Sequence, residues 1–157
     1  MRPGTAADGA AVARLIADVA GERRWLATQP PVDLAWRAQR FAAALDEGRA
    51  VSFVAVDGER VVGELTLSLR EGLNLGMCVA RDYRGCGLGR ALLDAAIACA
   101  ADLGLPQILL DVYAHNDAAR RLYASRGFVA TGEVEEVERE GEMWQVLTMR
   151  RPVASAS

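Results

Sequence analysis

Near the N-terminus Val12, Leu15, Ile16 and Val19 recur at the three- and four-residue spacing that gathers side chains on one helix face. Thr5 and Asp8 are suited to cap the start of that helix, and Gly21 to end it. A second stripe of Leu34, Ala38, Phe41, Ala42 and Leu45 predicts another helix that stops at Gly48. Between the two, Glu22 to Asp33 holds Trp25 and the pair Pro30-Pro31 and reads as a loop. The period then shortens. Ala50 to Val56 is β-rich and Asp57-Gly58 signals a hairpin. Beyond it Leu65, Leu67 and Leu69 face one way, while Glu64, Thr66 and Ser68 face the other. Gly72 turns the chain into a further strand, Leu73 to Val79.

The helical period returns with Leu88, Leu92, Ala96, Cys99 and Leu103, and Gly104 and Pro106 end it. Gln107 to Tyr113 reads as a buried strand. Asn116-Asp117 opens a short helix that Gly127 closes by supplying a left-handed position. Phe128 to Val137 and Met143 to Arg150 form a last hairpin around Glu140-Gly141. The order ααβββαβαββ predicts an α/β (α+β) fold: a mixed sheet with helices on both faces. No internal repeat appears. A length of 157 residues suits one domain, 1–152, with an Ala/Ser tail over 153–157 that is expected to be disordered.

Composition narrows the classes of function. Apolar residues make up 52% and charged residues 25%, an ordinary soluble balance. No apolar run is long enough to span a bilayer, and Met1 to Thr5 lacks the apolar core of a signal peptide, so a cytoplasmic protein with no membrane partner is expected. With a net charge of −3 and no basic block, there is no electrostatic case for nucleic acid. All 18 basic residues are arginine, a bias better explained by codon usage than by function. Cys78, Cys86 and Cys99 form no CxxC pair and His115 has no ligand-spaced partner, so no metal is expected.

The chemistry concentrates in Arg84-Gly85-Cys86-Gly87-Leu88-Gly89-Arg90, between a strand and an amphipathic helix. The first N–H groups of a helix lack intrahelical partners, and glycines let backbone approach an anion closely. Such a loop can cradle a phosphate or pyrophosphate, with Arg84 and Arg90 adding charge at its edges. A P-loop would need a lysine, and none exists. A dinucleotide fingerprint would match at Gly85 and Gly87 but meets Arg90 at its third glycine, although Asp111 lies where a ribose-binding acid would be expected. An ordinary Gly-rich turn is the plain alternative.

The wider pattern Val79-x4-Arg84-Gly85-x-Gly87-x-Gly89-x2-Leu92 resembles the acetyl-CoA loop of the GNAT superfamily of N-acetyltransferases. Downstream, Leu110-Asp111-Val112 and Asn116-x2-Ala119-x3-Tyr123-x3-Gly127-Phe128 are similar to the superfamily's second signature at its usual spacing. The resemblance implies a mostly antiparallel central sheet, with a first strand that is truncated here near Arg2-Pro3. It implies acetyl-CoA as co-substrate, with pantetheine lying beside Leu73 to Val79, where that strand parts from Gln107 to Tyr113. The implied coenzyme contacts are Met77, Cys78, Val79, Arg84, Gly85, Cys86, Gly87, Leu88, Gly89, Arg90, Asn116, Ala119 and Tyr123. A backbone N–H near Cys78 or Val79 would face the thioester oxygen.

Tyr123 is the general acid that the resemblance implies, and packing in the core is its plain alternative. Glu64 is the candidate general base, against an equal reading as an exposed strand residue. His115 at a strand end and a ping-pong route through Cys78 are weaker rivals. Trp25, Trp36 and Trp144 could wall an acceptor pocket, and Glu133, Glu135, Glu136 and Glu138 could attract a cationic amine. The reading is an acetyl transfer to a primary amine of a small molecule in a ternary complex, by a monomer or homodimer. A protein N-terminus or lysine as acceptor, or a non-catalytic acyl-CoA sensor, are the alternatives.

Overall fold

The computed structural model describes residues 1–70 and 73–153; the turn expected at Gly72 and most of the expected tail lie outside them. The order is β1 (Arg2–Pro3), α1 (Gly9–Ala20), α2 (Leu34–Asp46), β2 (Ala50–Asp57), β3 (Arg60–Ser68), β4 (Leu75–Val79), α3 (Leu88–Asp102), β5 (Gln107–Tyr113), α4 (Asp117–Ser125), β6 (Val129–Arg139) and β7 (Glu142–Pro152). Single 3₁₀ turns precede α1 and α3. Among the described residues no helix is long and apolar enough to cross a membrane.

The strands form two antiparallel sheets, β1-β2-β3-β4 and β5-β7-β6. They join at one point, a parallel bridge between Asn74 and Leu109, where the Leu109 N–H donates to the Leu73 carbonyl at 3.2 Å. Beyond it β4 and β5 diverge, as the resemblance implied. The described strands pair antiparallel in both sheets, unlike the parallel sheet of a dinucleotide-binding fold. The strand before the loop starts two residues later than expected, at Leu75, because Leu73 takes φ 48°.

The truncated first strand survives because its neighbours hold it. Pro3 and Arg2 pair with Phe53 and Val54, and the Arg2 guanidinium forks onto the Asp8 carboxylate at 2.8 Å. That carboxylate also accepts the Thr5 N–H at 2.7 Å, which fixes the entry into α1. The guanidinium beside it holds the Asp8 carboxyl down at about 2.

One face of the first sheet is apolar in the usual way. Leu65 and Leu67 are fully buried against Leu92, Leu93, Ala96 and Ala100 of α3. The end of that expected stripe fails: Leu103 is 50% exposed, because the helix has already stopped at Asp102. The other face carries Glu64, Thr66 and Ser68 and lies beneath α1 and α2. Val12, Leu15, Val19 and Phe41 pack there on Val54 and Cys78, which flank Glu64 in register across β2, β3 and β4. In α2 the expected stripe is rotated, with Phe41 buried but Leu34 44% exposed. Gly127 closes α4 at φ 87°, as expected. Glu140 and Gly141 both take positive φ, 53° and 84°, in the two-residue turn between β6 and β7.

Candidate active site

Where β4 and β5 part, a cleft of about 620 Å³ opens between the two sheets. Its floor follows from strand parity. The Ala80 N–H donates to the Val62 carbonyl and the Ser68 N–H to the Asn74 carbonyl, so even-numbered residues of this segment hydrogen-bond β3. In an antiparallel pair the alternate residues face the other edge. Met77 and Val79 therefore present their backbone groups to the cleft, and Cys78 does not. The backbone donor expected near Cys78 or Val79 belongs to Val79 or Met77.

The glycine loop forms one end of the cleft. Gly85 and Gly87 take φ 77° and 88°, and nothing lies within 4 Å of where a Cβ would sit on either. Gly87 is also the N-cap of α3, so free N–H groups of the first helical turn open onto that space. Gly89 differs: its would-be Cβ lies 3.3 Å from Leu122 and 3.6 Å from Met77, so it is a point of close packing between α3, α4 and β4. The two arginines also differ. Arg84 is held by a bidentate pair to Glu22 at 2.8 and 2.7 Å and donates to the Val79 carbonyl at 2.9 Å. Arg90 lines the cleft, exposed, with no ion pair among the described residues. Cys86 and Leu88 do not line it. The Cys86 thiol donates outside to the Tyr83 carbonyl, and Leu88 packs into the core.

The facing wall comes from β5 and α4. Asn116 caps α4 by accepting the Ala119 N–H at 3.2 Å, and Ala119 and Tyr123 follow on the cleft side of that helix. Tyr123 is 6% exposed and its ring lies 5.8 Å from that of Phe128. The ring belongs to the core, and the residue also lines the cleft. Burial, with a lesser effect of the nearby Cys78, pushes its phenol up to about 12, so it stays protonated at any working pH. Asp111 lines the cleft too, but accepts a hydrogen bond from Thr148 at 2.8 Å.

Glu64 is not an exposed strand residue. It is 5% exposed and lines a second cavity, of about 340 Å³, roofed by α2. Gly76, Met77 and Cys78 border both cavities, so β4 is the wall they share. Burial pushes the Glu64 carboxyl up to about 7, against the opposing effects of a hydrogen bond from Thr66 and the charge of Arg37. Arg37, Arg40 and Thr28 line the same cavity and were not singled out in the sequence. A signal for Arg37 existed, since it stands four and eight residues before Phe41 and Leu45 on the buried side of α2.

The other candidates fall elsewhere. His115 stacks on Tyr113 at 5.2 Å and meets Trp144 and Trp25 at 4.8 and 6.0 Å, while its Nε2 lies 2.9 Å from the Arg24 carbonyl. Trp25 lines the large cleft; Trp36 is half-exposed beneath Arg40 and Arg37 and lines neither cavity. Glu133, Glu135, Glu136 and Glu138 stand exposed on β6, the edge strand of the second sheet, and border neither cavity. Burial raises the Cys78 thiol well above its usual range, which leaves it a poor nucleophile.

Comparison with known proteins agrees with this geometry. The chain is 36% identical over 85 residues to a mycothiol acetyltransferase of Geodermatophilus obscurus, a match of 48% of this chain and 28% of that protein. It is 31% identical over 104 residues to an uncharacterized N-acetyltransferase of Mycobacterium bovis, covering 64% and 67%. A phosphinothricin acetyltransferase of Sinorhizobium meliloti, solved in complex with acetyl-CoA, superposes with a TM-score of 0.83 at 22% identity over 98% of this chain and 87% of that one. The profile of the acetyltransferase (GNAT) family matches residues 12–128, and the chain belongs to that family.

Proposed function

We propose that this protein transfers an acetyl group from acetyl-CoA to the primary amine of a small molecule by direct attack in a ternary complex. The observation that carries the reading is the pair of cavities meeting on β4. One is an open glycine cradle with a free strand edge, suited to the donor, and the other is a smaller pocket with a buried carboxylate, suited to an amine. The amides of the Gly85–Gly89 loop and Arg90 would hold the pyrophosphate. The odd-numbered edge of β4 would pair with the amides of pantetheine, as an added strand pairs with a sheet edge.

With the thioester beside Met77 and Val79, a backbone N–H there stabilises charge on its carbonyl oxygen. Glu64 takes a proton from the amine, directly or through a water, as nitrogen bonds to the carbonyl carbon. The carbon–sulfur bond breaks, sulfur leaves with the electron pair, and Tyr123 gives it a proton. Products are the N-acetyl compound and free CoA, and both side chains exchange their protons with solvent. The 340 Å³ pocket is at the small end for ligand sites, which run about 300–1,000 Å³, and this favours a small acceptor over a peptide.

Acetyl-CoA at one hundred times its dissociation constant is expected to stabilise the fold by roughly 2.7 kcal/mol. For a chain of this size that is a rise in Tm of roughly 5–10 °C, read by thermal melting. NAD and ATP share the adenine and phosphates but not pantetheine, and should do much less. A larger rise with NAD would overturn the donor assignment.

Glu64 gives a second test with two readouts. As a base it must be ionised, so kcat/KM expressed per neutral amine should climb with pH through about 7 and then level. Glu64→Gln should lose that climb and drop kcat by about 10²-fold. Stability moves the other way. The folded carboxyl binds its proton more tightly than the unfolded one, so stability falls as pH rises from about 4.5 to about 7. Glu64→Gln should therefore melt higher than the parent at pH 8, by roughly 2–4 °C for each kcal/mol regained. A variant that keeps the climb near pH 7 would remove Glu64 as the base.

A further inference from the structure

We infer that the acceptor is a small aminocarboxylic acid, held with its amine toward Glu64 and its carboxylate on Arg37 and Arg40. This inference rests on the acetyl-transfer reading above and names the substrate class of the same site.

The charges in the acceptor pocket do not balance. Two arginines and one glutamate line it. Arginines near other acids are paired: Arg2 forks onto Asp8 and Arg84 onto Glu22. Neither Arg37 nor Arg40 has an ion pair among the described residues. Arg37 gives one Nη to Thr28 at 3.0 Å. A guanidinium that lines a pocket without a counter-charge is best matched by a ligand carboxylate.

The geometry allows one molecule to meet both ends. Glu64 lies at the β4 side, where the pocket touches the donor cleft, and Arg37 and Arg40 stand on α2, which roofs it. The guanidinium fork suits a carboxylate, which it can grip with two parallel hydrogen bonds. A plain alkylamine would arrive as a cation into a pocket lined by two positive charges. An aminocarboxylic acid brings its own counter-charge. Holding it by the carboxylate leaves the nitrogen, once its ammonium proton has gone to solvent, to attack the thioester as the neutral amine while Glu64 takes the second proton, sulfur leaving as before.

The test is a rate panel with the whole protein and acetyl-CoA. The acceptors are the standard free L-amino acids, a series of ω-amino acids, the corresponding amides, alkylamines, and short peptides with free N-termini. Free-carboxylate acceptors should exceed their amides in kcat/KM by about 10–100-fold, the worth of one charged hydrogen-bonded pair. Arg37→Gln and the more exposed Arg40→Gln should collapse that ratio toward one through KM, and Arg37→Lys should restore part of it. Calorimetry of acetyl-CoA on the wild-type protein separates the two levels. Failure of acetyl-CoA to bind overturns the donor reading. Acetyl-CoA that binds, with amides, alkylamines or peptides acetylated as well as the free acids, overturns the acceptor class alone; acetyl-CoA that binds with no amine acetylated overturns the transfer reading and the acceptor class with it.

Discussion

Gly87→Val is expected to abolish useful acetyl-CoA binding in a protein that still folds. The residue sits at φ 88° as the N-cap of α3, with open space where its Cβ would be. A branched side chain there fills the volume that a pyrophosphate must enter, and pulls the loop away from left-handed backbone. Losing two charge-assisted hydrogen bonds of about 1.5–3 kcal/mol each lowers affinity by at least about 10²-fold. The backbone strain itself costs about 1–3 kcal/mol, which the buried face of α3 can bear. Gly104→Val is the control. It imposes similar strain at the other end of the same helix, at φ 68°, also with open space around it. Calorimetry should show the coenzyme lost in the first variant and kept in the second. Equal losses in both would mean that strain, not the cradle, was being measured.

Tyr123→Phe is expected to slow acetyl transfer by about 10²–10⁴-fold while acetyl-CoA still binds, which is the range for a positioned acid. The ring packs on Phe128 and stays; only the oxygen goes. Because the hydroxyl makes no hydrogen bond among the described residues, no buried partner is orphaned and stability should change little. A phenol near 12 is a weak acid beside an ordinary thiol near 8.5, so transfer to a thiolate in water would be uphill. The transfer therefore requires the sulfur to form against buried groups such as Cys78, where desolvation raises the basicity of a thiolate. Single-turnover rates between pH 6 and 9 are the right readout, since slow product release would mask the effect in steady state. Unchanged rates would make Tyr123 a packing residue only.

What could be read from the sequence was local. The glycine loop, the Asn116 cap and the Gly127 stop each follow from backbone rules acting over a few residues, and each stands where expected. Alternation put Glu64 on the polar face of β3. It could not tell that α1 and α2 would cover that face and push the carboxyl up to about 7. Helical spacing placed Leu34 on the buried stripe of α2, but it is 44% exposed, because the packed face is turned toward Arg37. The Glu22–Arg84 pair joins residues 62 apart and left no trace in any local pattern. The glutamates of β6 misled for the same reason: charge is visible in sequence, but its distance from a pocket is not.

The most direct measurement is the stoichiometry of free thiol released from acetyl-CoA against N-acetylated product formed, with and without an added amine. Acetyl transfer within a ternary complex requires one thiol per acetylated amine and almost none without amine. Coenzyme bound without amine-dependent thiol release, across amines, aminocarboxylic acids and peptides, would contradict it and leave an acyl-CoA-binding domain in its place.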